Sequence, residues 1–280
     1  MLNFCYYFAV FPRRISVLER ELHACRAVVV RRREAFTLLE MLVVMGIIAL
    51  LMVLVAPAFT SLKSAGDVTS AAYTVKGVLD TARTYAKANN TYTWVGFFEE
   101  NVTSTTPGTA GIGRLVMSIV ASKDGTIIYN PTNLAQQGLT TSLIQVGKLT
   151  KIDNVHLWTH TDAPSGTGST FDTRPNVTST YCIGHTSPSS STTPFQYPVG
   201  NPAPTLQYTF LKAVEFSPGG EARINNSTVN VSGTPIYPLQ TAAEIGLEPT
   251  HGNVTPAAIP ANVVAVQFTG VGGNVKIYQR

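Results

Sequence analysis

The stretch that decides the fold spans residues 31–62 and reads RRREAFTLLEMLVVMGIIALLMVLVAPAFTSL. From Met41 to Leu62 it contains 22 consecutive residues without a charge, which as a helix cover about 33 Å, enough to cross the hydrocarbon core of a bilayer. Three arginines at 31–33 precede the run, and basic residues stay on the cytoplasmic side of a membrane. The stretch therefore predicts a membrane helix with a cytoplasmic N-terminus, followed by an exported domain.

The residues just before this run resemble the type IV prepilin signal. The resemblance rests on Ala35, on Phe36-Thr37-Leu38-Leu39-Glu40 and on Pro57. It implies that a prepilin peptidase cuts between Ala35 and Phe36 and methylates the new amino group. It also implies that Glu40, the fifth mature residue, pairs with that amine on a neighbouring subunit, and that Pro57 kinks the helix. The family usually has Gly before the cut, where this chain has Ala35.

Glu40 also stands out without the resemblance. A carboxylate near the start of a membrane helix is costly unless it finds a partner, so it is a functional candidate by default. The alternative is a carboxylate solvated at the headgroup level beside the arginines. The apolar residues expected to face lipid or neighbouring helices are Leu42, Val43, Ile47, Ile48, Leu50, Leu51 and Leu54.

Two other interpretations concern where the mature chain starts. Ala56-Pro57-Ala58 has the small-x-small form cut by signal peptidase, which would release a soluble domain beginning at Phe59. The long apolar core and the proline inside this site argue against it. The 35-residue leader is long, and Val30 before the arginines leads us to expect translation from a non-AUG codon there.

Residues 61–90 predict an amphipathic helix that continues the apolar run. Apolar residues recur at three- and four-residue steps, with charged residues between them, and Asn89-Asn90 predicts the end of the helix. The apolar positions are Val68, Ala72, Val75, Leu79, Ala82 and Ala86. We expect a sheet to pack on Val75, Leu79 and Ala82.

The remainder predicts short strands, rich in Val, Ile, Thr and aromatic residues and bounded by Gly, Pro and Asn. The predicted strands cover residues 92–98, 115–121, 126–129, 142–146, 155–158, 208–216, 222–224, 228–231, 263–268 and 275–278. The predicted fold class is α+β, with a long N-terminal helix packed on an antiparallel sheet. The predicted divisions are a leader (1–35), a transmembrane and assembly helix (36–60), the amphipathic helix (61–90) and a β-rich domain (91–280), with a Ser/Thr/Pro-rich surface insertion at 161–205.

Later positions resemble the GspH/FimT group of minor pseudopilins and pilins. They are the helical run Leu79–Asn89, with Ala82-Arg83 and Ala86, and the strand-turn sequence Val214-Glu215-Phe216-Ser217-Pro218-Gly219-Gly220. A final hydrophobic strand is a further point of similarity. This resemblance covers scattered positions only.

Charge and motif content argue against other classes of protein. Residues 1–35 carry seven arginines against three glutamates, a net of +4, and the remainder is formally neutral, so nucleic acid is not an expected partner. No hydrolase or phosphate-loop motif is present, so we predict no enzyme activity and no cofactor. His156 and His160, with Asp153 and Asp162, are weak metal candidates; Asp162 and Asp172 could ligate calcium, but their spacing is not diagnostic. We predict no metal site, and an inert Cys182.

Three functions follow in order of preference. The first is a subunit of a type IV pilus or type II secretion pseudopilus that polymerises through residues 36–59. Its expected partners are the prepilin peptidase, other pilin or pseudopilin subunits, an assembly platform protein and inner-membrane lipid, with the C-terminal domain in the periplasm. The second is a membrane-anchored module that binds a ligand, a surface or DNA without polymerising. The third, an exported tethered enzyme, lacks a recognisable polar site.

Overall fold

The structure is a computed structural model. It describes residues 37–126, 142–160, 162, 164–184, 195–199, 205–224, 230–231, 234–235 and 239–280, and within these ranges it leaves the side chains of 54–66, 230–231 and 234–235 undescribed. The chain divides into two compact units, Met1–Leu51 and Met52–Arg280.

Helix α1 runs from Leu38 to Ala88, as the two apolar patterns predicted. In the larger unit it buries one face, at three- and four-residue spacing: Val68, Ala71, Ala72, Val75, Leu79, Ala82 and Ala86. The helix ends because Asn90 takes a left-handed conformation (φ 49°), which Asn tolerates better than most residues, and the Thr91 amide then bonds back to the Ala86 carbonyl at 3.0 Å. The expected burial of Val75, Leu79 and Ala82 is confirmed.

The sheet against this helix has eight strands in the order β12-β11-β10-β3-β2-β1-β6-β7, each antiparallel to its neighbours. Its strands are β1 (Thr93–Asn101), β2 (Gly113–Ser122), β3 (Leu143–Trp158), β6 (Lys212–Phe216), β7 (Ala222–Ile224), β10 (Ala243–Pro249), β11 (Val264–Phe268) and β12 (Val275–Gln279). Two ribbons pair separately, β4 (Phe195–Tyr197) with β5 (Tyr208–Phe210) and β8 (Asn230–Val231) with β9 (Thr234–Pro235). The α+β prediction is confirmed.

Alternation along the strands gives the sheet two buried faces. One face packs on α1, for example through Val95 and Phe97. The other carries Trp94, which packs with Phe195 and Phe210 of the β4–β5 ribbon. Further along the chain a separate cluster joins Phe171, Val263, Ala265 and Tyr278. Both faces of the sheet are therefore covered by other parts of the chain.

Three strand predictions are wrong in their boundaries. The strands predicted at 142–146 and 155–158 are one strand, β3, which continues through Gly147 and Asn154 although both take positive φ angles (76° and 63°). Its pairing with β2 shifts register twice, so these residues produce irregularities without ending the strand. The strand predicted at 208–216 is two strands, because the chain changes from β5 to β6 at Leu211. Most of the strand predicted at 126–129 lies outside the described residues.

Sequence reasoning missed strand β10. Its sequence, AEIGLEP, contains two glutamates and a glycine and ends in proline, which is a poor strand pattern. Yet all seven residues are buried, with Ile245 and Leu247 packed in the core beneath α1. Glu244 and Glu248 alternate with them and are only 3% exposed. A buried carboxylate needs partners, and for Glu244 the cationic partner comes from the predicted insertion.

The segment 161–205 is not only a surface loop, because it carries buried side chains that dock on the sheet. Arg174 is 2% exposed; its Nε donates to Glu244 Oε2 at 2.9 Å and its Nη1 and Nη2 donate to the two oxygens of Asp162 at 2.6 and 2.8 Å. The guanidinium also stacks over the Phe171 ring, 4.1 Å from its centroid. Gln267 donates to the same Glu244 oxygen at 2.8 Å. We call Arg174, Glu244, Asp162 and Gln267 the arginine clasp.

A second buried carboxylate ties the β4–β5 ribbon to the sheet. Glu100 is 3% exposed, and it accepts hydrogen bonds from the Tyr208 hydroxyl at 2.8 Å, the Gly108 amide at 3.0 Å and Arg114 Nη1 at 3.0 Å. Burial opposes its charge, but these bonds and the nearby Lys151 ammonium outweigh that penalty and lower the pKa of Glu100 to about 2.

This carboxylate predicts a pH dependence of stability. Because the pKa of Glu100 is about 2 in the fold against an ordinary 4.5, its contribution is complete above pH 4.5 and is lost as the pH falls towards 2. We expect the free energy of unfolding to fall over that window. In the Glu100→Gln variant, the free energy of unfolding should be lower at pH 7 and should fall less steeply as the pH is lowered. Urea unfolding at a series of pH values measures this, and an equal pH dependence in both proteins would contradict it.

Comparing two glycines with positive φ angles, Gly113 and Gly147, predicts a steric effect at the start of β2. Gly113 (φ 106°) has no room for a Cβ, which would overlap the Gly252 carbonyl oxygen and the Val102 side chain, whereas Gly147 (φ 76°) has nothing within 4 Å. We expect Gly147→Ala to lower the free energy of unfolding by about 1 kcal/mol, from backbone strain alone. Gly113→Ala should cost about 3 kcal/mol or more. Equal losses in urea unfolding would mean that the 252 turn moves aside freely.

Candidate functional site

The start of α1 is held by a reciprocal pair of side chains. Glu40 Oε2 accepts from the Thr37 amide at 2.8 Å and from the Thr37 hydroxyl at 2.9 Å, and the Glu40 amide donates to Thr37 Oγ1 at 3.2 Å. This is a capping box, which satisfies amides that the first turn of a helix leaves without partners. Within one chain, Glu40 therefore caps its own helix.

The first turns of α1 carry an apolar surface that is exposed in the described part of the chain. Thirteen large apolar side chains between 38 and 53 are at least 45% exposed, from Leu38 at 84% to Val53 at 75%. Fully burying a side chain of this kind contributes about 1.5–3 kcal/mol, so covering them all is worth on the order of 20 kcal/mol. Among residues with described side chains, no helix is both long and apolar enough to cross a membrane.

Comparison with known proteins bears on this same segment. Residues 30–56 match the family of the prokaryotic N-terminal methylation motif. The chain carries a prepilin-type signal. No curated protein and no solved structure matches the chain, so the similarity of the later positions to the GspH/FimT group stays a prediction.

The prepilin-type signal is described only in part. Ala35 and Phe36 lie outside the described residues, whereas Thr37 and Glu40 lie within them. Of the apolar residues predicted to face lipid or other helices, Leu42, Val43, Ile47, Ile48, Leu50 and Leu51 are exposed. The side chains of Leu54 and Pro57 are not described, although both positions fall inside α1. Their roles stay predictions.

Sequence reasoning missed the role of Thr37. The pattern Thr-x-x-Glu before an apolar run is itself the signature of a capping box, and Thr37-Leu38-Leu39-Glu40 fits it. The interpretation of Glu40 as a charge awaiting a partner was therefore incomplete. One oxygen, Oε2, receives both hydrogen bonds from Thr37.

The two histidines considered as metal ligands have separate partners. His156 Nδ1 lies 2.6 Å from Glu99 Oε1, and His160 Nε2 lies 3.3 Å from the Val264 carbonyl oxygen. Burial opposes protonation of His156, but the hydrogen bond and charge of Glu99 outweigh it, so the pKa of His156 is raised. Burial lowers the pKa of His160. Chemically, these are a half-buried ion pair and a core imidazole.

The acidic candidates are likewise paired with cations. Asp153 pairs with Arg114, Asp162 belongs to the arginine clasp, and Asp172 lies 3.9 Å from Arg280. Among the described residues, no three His, Cys, Asp or Glu side chains stand close enough together to hold a metal ion. Burial raises the pKa of the Cys182 thiol to about 12, which makes it a poor nucleophile.

One cavity in the β-domain has a mixed lining. It has a volume of about 260 Å³ and lies between Phe97, Glu99, Leu157, Leu211 and Lys212. Burial lowers the pKa of Lys212, although the charge of Glu99 opposes that effect. A cleft of this size with a carboxylate and an ammonium group could take a small polar molecule.

Proposed function

We propose that this chain is a pilin-like subunit of a type IV pilus or type II secretion pseudopilus. It is cleaved by a prepilin peptidase between Ala35 and Phe36, and it polymerises through the N-terminal part of α1. The observation that carries the proposal is the prepilin-type signal at 30–56, together with the exposed apolar side chains that lie within it. A structural subunit needs no catalytic group.

The exposed apolar surface fits a helix that is surrounded by lipid before assembly and by neighbouring subunits after assembly. Before assembly, lipid covers it, with the arginines at 31–33 on the cytoplasmic side. After assembly, the same faces of neighbouring subunits cover it. Because the side chains from 41 to 53 are uncharged and mostly apolar around the whole helix, either environment is favourable and transfer between them costs little.

Glu40 gives the polymer its register in this proposal. Once Phe36 is the first residue, its methylated amine is a cation at the tip of one helix, and Glu40 of an adjacent helix is the anion that meets it. An ion pair surrounded by apolar side chains fixes axial position, because any other register leaves both charges buried and unpaired. The capping box holds the carboxylate in place before the partner arrives.

A second candidate function is a membrane-anchored binding module that does not polymerise. The cavity beside Glu99 and Lys212 favours it, because it is lined by a carboxylate, an ammonium group and apolar walls of Phe97 and Leu157. In that case the prepilin-type signal would serve anchoring alone, and the two functions are separable by experiment.

The test is incorporation into filaments in the source organism. The tagged chain is expressed at its native level, surface filaments or pseudopili are sheared and collected, and the tag is measured in the filament and membrane fractions. We expect the tag in the filament fraction, and its loss from that fraction when the prepilin peptidase is inactivated. A tag that stays in the membrane fraction, with filaments present, would favour the binding module.

A further inference from the structure

Two loops at one end of the β-domain meet and carry almost no charge. They are residues 102–112, between β1 and β2, and residues 251–262, between β10 and β11. The first packs against the second around Gly113, where Val102 and the Gly252 carbonyl leave no space for a Cβ. Neither loop contains an Asp, Glu, Lys or Arg, and His251 is their only titratable side chain. We call these two loops the neutral rim.

The neutral rim lies close to Asp67 of α1. The Thr250 amide donates to the Asn154 carbonyl at 3.0 Å, and Asn154 Nδ2 donates to Asp67 Oδ2 at 3.2 Å. Asp67 is five residues after Leu62, the last residue of the uncharged run, a rise of about 7.5 Å along a helix. The polar layer on each side of a bilayer core is about 5–8 Å thick, which is similar to the rise along α1 from Leu62 to Asp67.

The loops at the other end of the domain are different. The turn after β6 packs Gly220 against Lys87, near the end of α1, and carries Glu221. The turn after β2 carries Lys123 and Asp124. Charges thus occur in these two turns, which lie far from the uncharged run, and are missing from the neutral rim.

The neutral rim also exposes apolar side chains. Val254 is 63% exposed and Ile259 is 43% exposed, in the sequence Val-Thr-Pro-Ala-Ala-Ile-Pro. Behind the rim, Arg114 pairs with Asp153, and the Asp67 carboxylate accepts a hydrogen bond from Asn154. Exposed apolar side chains on loops that carry no charged residues of their own favour the boundary between headgroups and acyl chains over bulk water.

We infer that the neutral rim rests on the membrane surface, with Val254 and Ile259 entering the lipid headgroup layer. The inference rests on the proposed membrane anchoring and adds a second, reversible contact. In the unassembled subunit, this contact holds the β-domain against the bilayer. The rim leaves the lipid when the subunit is extracted into a filament. Because the rim has no net charge, the contact should not depend on salt or on anionic lipid.

The experiment uses the full chain, with Cys5→Ser and Cys25→Ser, reconstituted into phosphatidylethanolamine/phosphatidylglycerol vesicles. An environment-sensitive fluorophore is attached to a single cysteine at Val254→Cys or Ile259→Cys. Lys123→Cys, at the opposite end, is the matched control, and Leu51→Cys reports whether the helix is in lipid. The buried Cys182 is present throughout and sets the labelling blank.

We expect labels at 254 and 259 to shift to shorter wavelength and to lose most of their emission to spin-labelled lipid, at low and high salt alike. The label at 123 should do neither. If the label at position 51 is quenched by lipid but the labels at 254 and 259 behave like the label at 123, the rim does not touch lipid and the inference is wrong. A blue shift at 254 without lipid quenching would also overturn it, because a second protein copy then covers the rim. If 51 is not quenched, the anchoring proposal itself fails.

Discussion

Replacing Glu40 with Gln should remove the chain from filaments while leaving the start of α1 folded. Gln at the third helical position still accepts from Thr37 in a capping box, so the substitution removes charge and little else. The methylated amine of the neighbouring Phe36 then has no anion. Leaving one partner of a buried ion pair unpaired costs about 3–5 kcal/mol, so incorporation should fall by more than about a hundredfold. The measurement is the tagged chain in the filament fraction.

Thr37→Ala is the matched control for Glu40→Gln. It removes the hydroxyl that bonds Glu40 and costs about 1 kcal/mol of helix stability, but it leaves the charge for the neighbouring amine. We therefore expect only a small fall in incorporation. If Thr37→Ala and Glu40→Gln lower incorporation equally, Glu40 acts as a helix cap and the proposed pairing between subunits is wrong.

Replacing Arg174 with Met should destabilise the β-domain more than any surface charge substitution. It leaves Glu244, which is 3% exposed, with Gln267 as a neutral partner and no cation. The expected loss in free energy of unfolding is about 3–5 kcal/mol. Urea unfolding of the full chain in detergent, followed by the fluorescence of Trp94 and Trp158, measures it.

Two further variants separate the arginine clasp from a general loss of charge. Arg223→Met breaks a surface pair with Glu221, whose side chains are 30% and 38% exposed, and should cost less than about 1 kcal/mol. Arg174→Met combined with Glu244→Leu removes both buried charges and should recover much of the loss. An Arg174→Met protein as stable as Arg223→Met would show that the clasp does not hold the insertion in place.

The helix and much of the sheet follow from local pattern, which is why they could be predicted. Val75, Leu79 and Ala82 recur at helical spacing and are buried, and the last strand, predicted at 275–278, is β12. Strand β10 could not be predicted, because its glutamates violate strand pattern. The cation that neutralises Glu244 is Arg174, 70 residues away in sequence. The continuity of β3 was hidden for a similar reason: Gly147 and Asn154 look like breaks until β2 is known to pair across them.

Some residues of the candidate site could likewise be predicted from the sequence, and others could not. Phe36, Glu40 and the apolar run lie within one short segment, so sequence alone points to them. The capping box was also readable from Thr37 and Glu40. The neutral rim was not, because residues 102–112 and 251–262 are far apart in sequence and come together in the fold, where Val102 and Gly252 pack around Gly113. Its relation to α1 depends on the contact between Asn154 and Asp67.

The most direct test of the account is the mass of the mature N-terminal peptide, from chain expressed in membranes with an active prepilin peptidase. The account predicts a chain that begins with N-methylated Phe36, and an uncut chain when the peptidase is inactive. A chain that begins at Phe59, after Ala58, would mean release by signal peptidase and a soluble domain. That result would contradict membrane anchoring, assembly through α1 and the lipid contact of the neutral rim together.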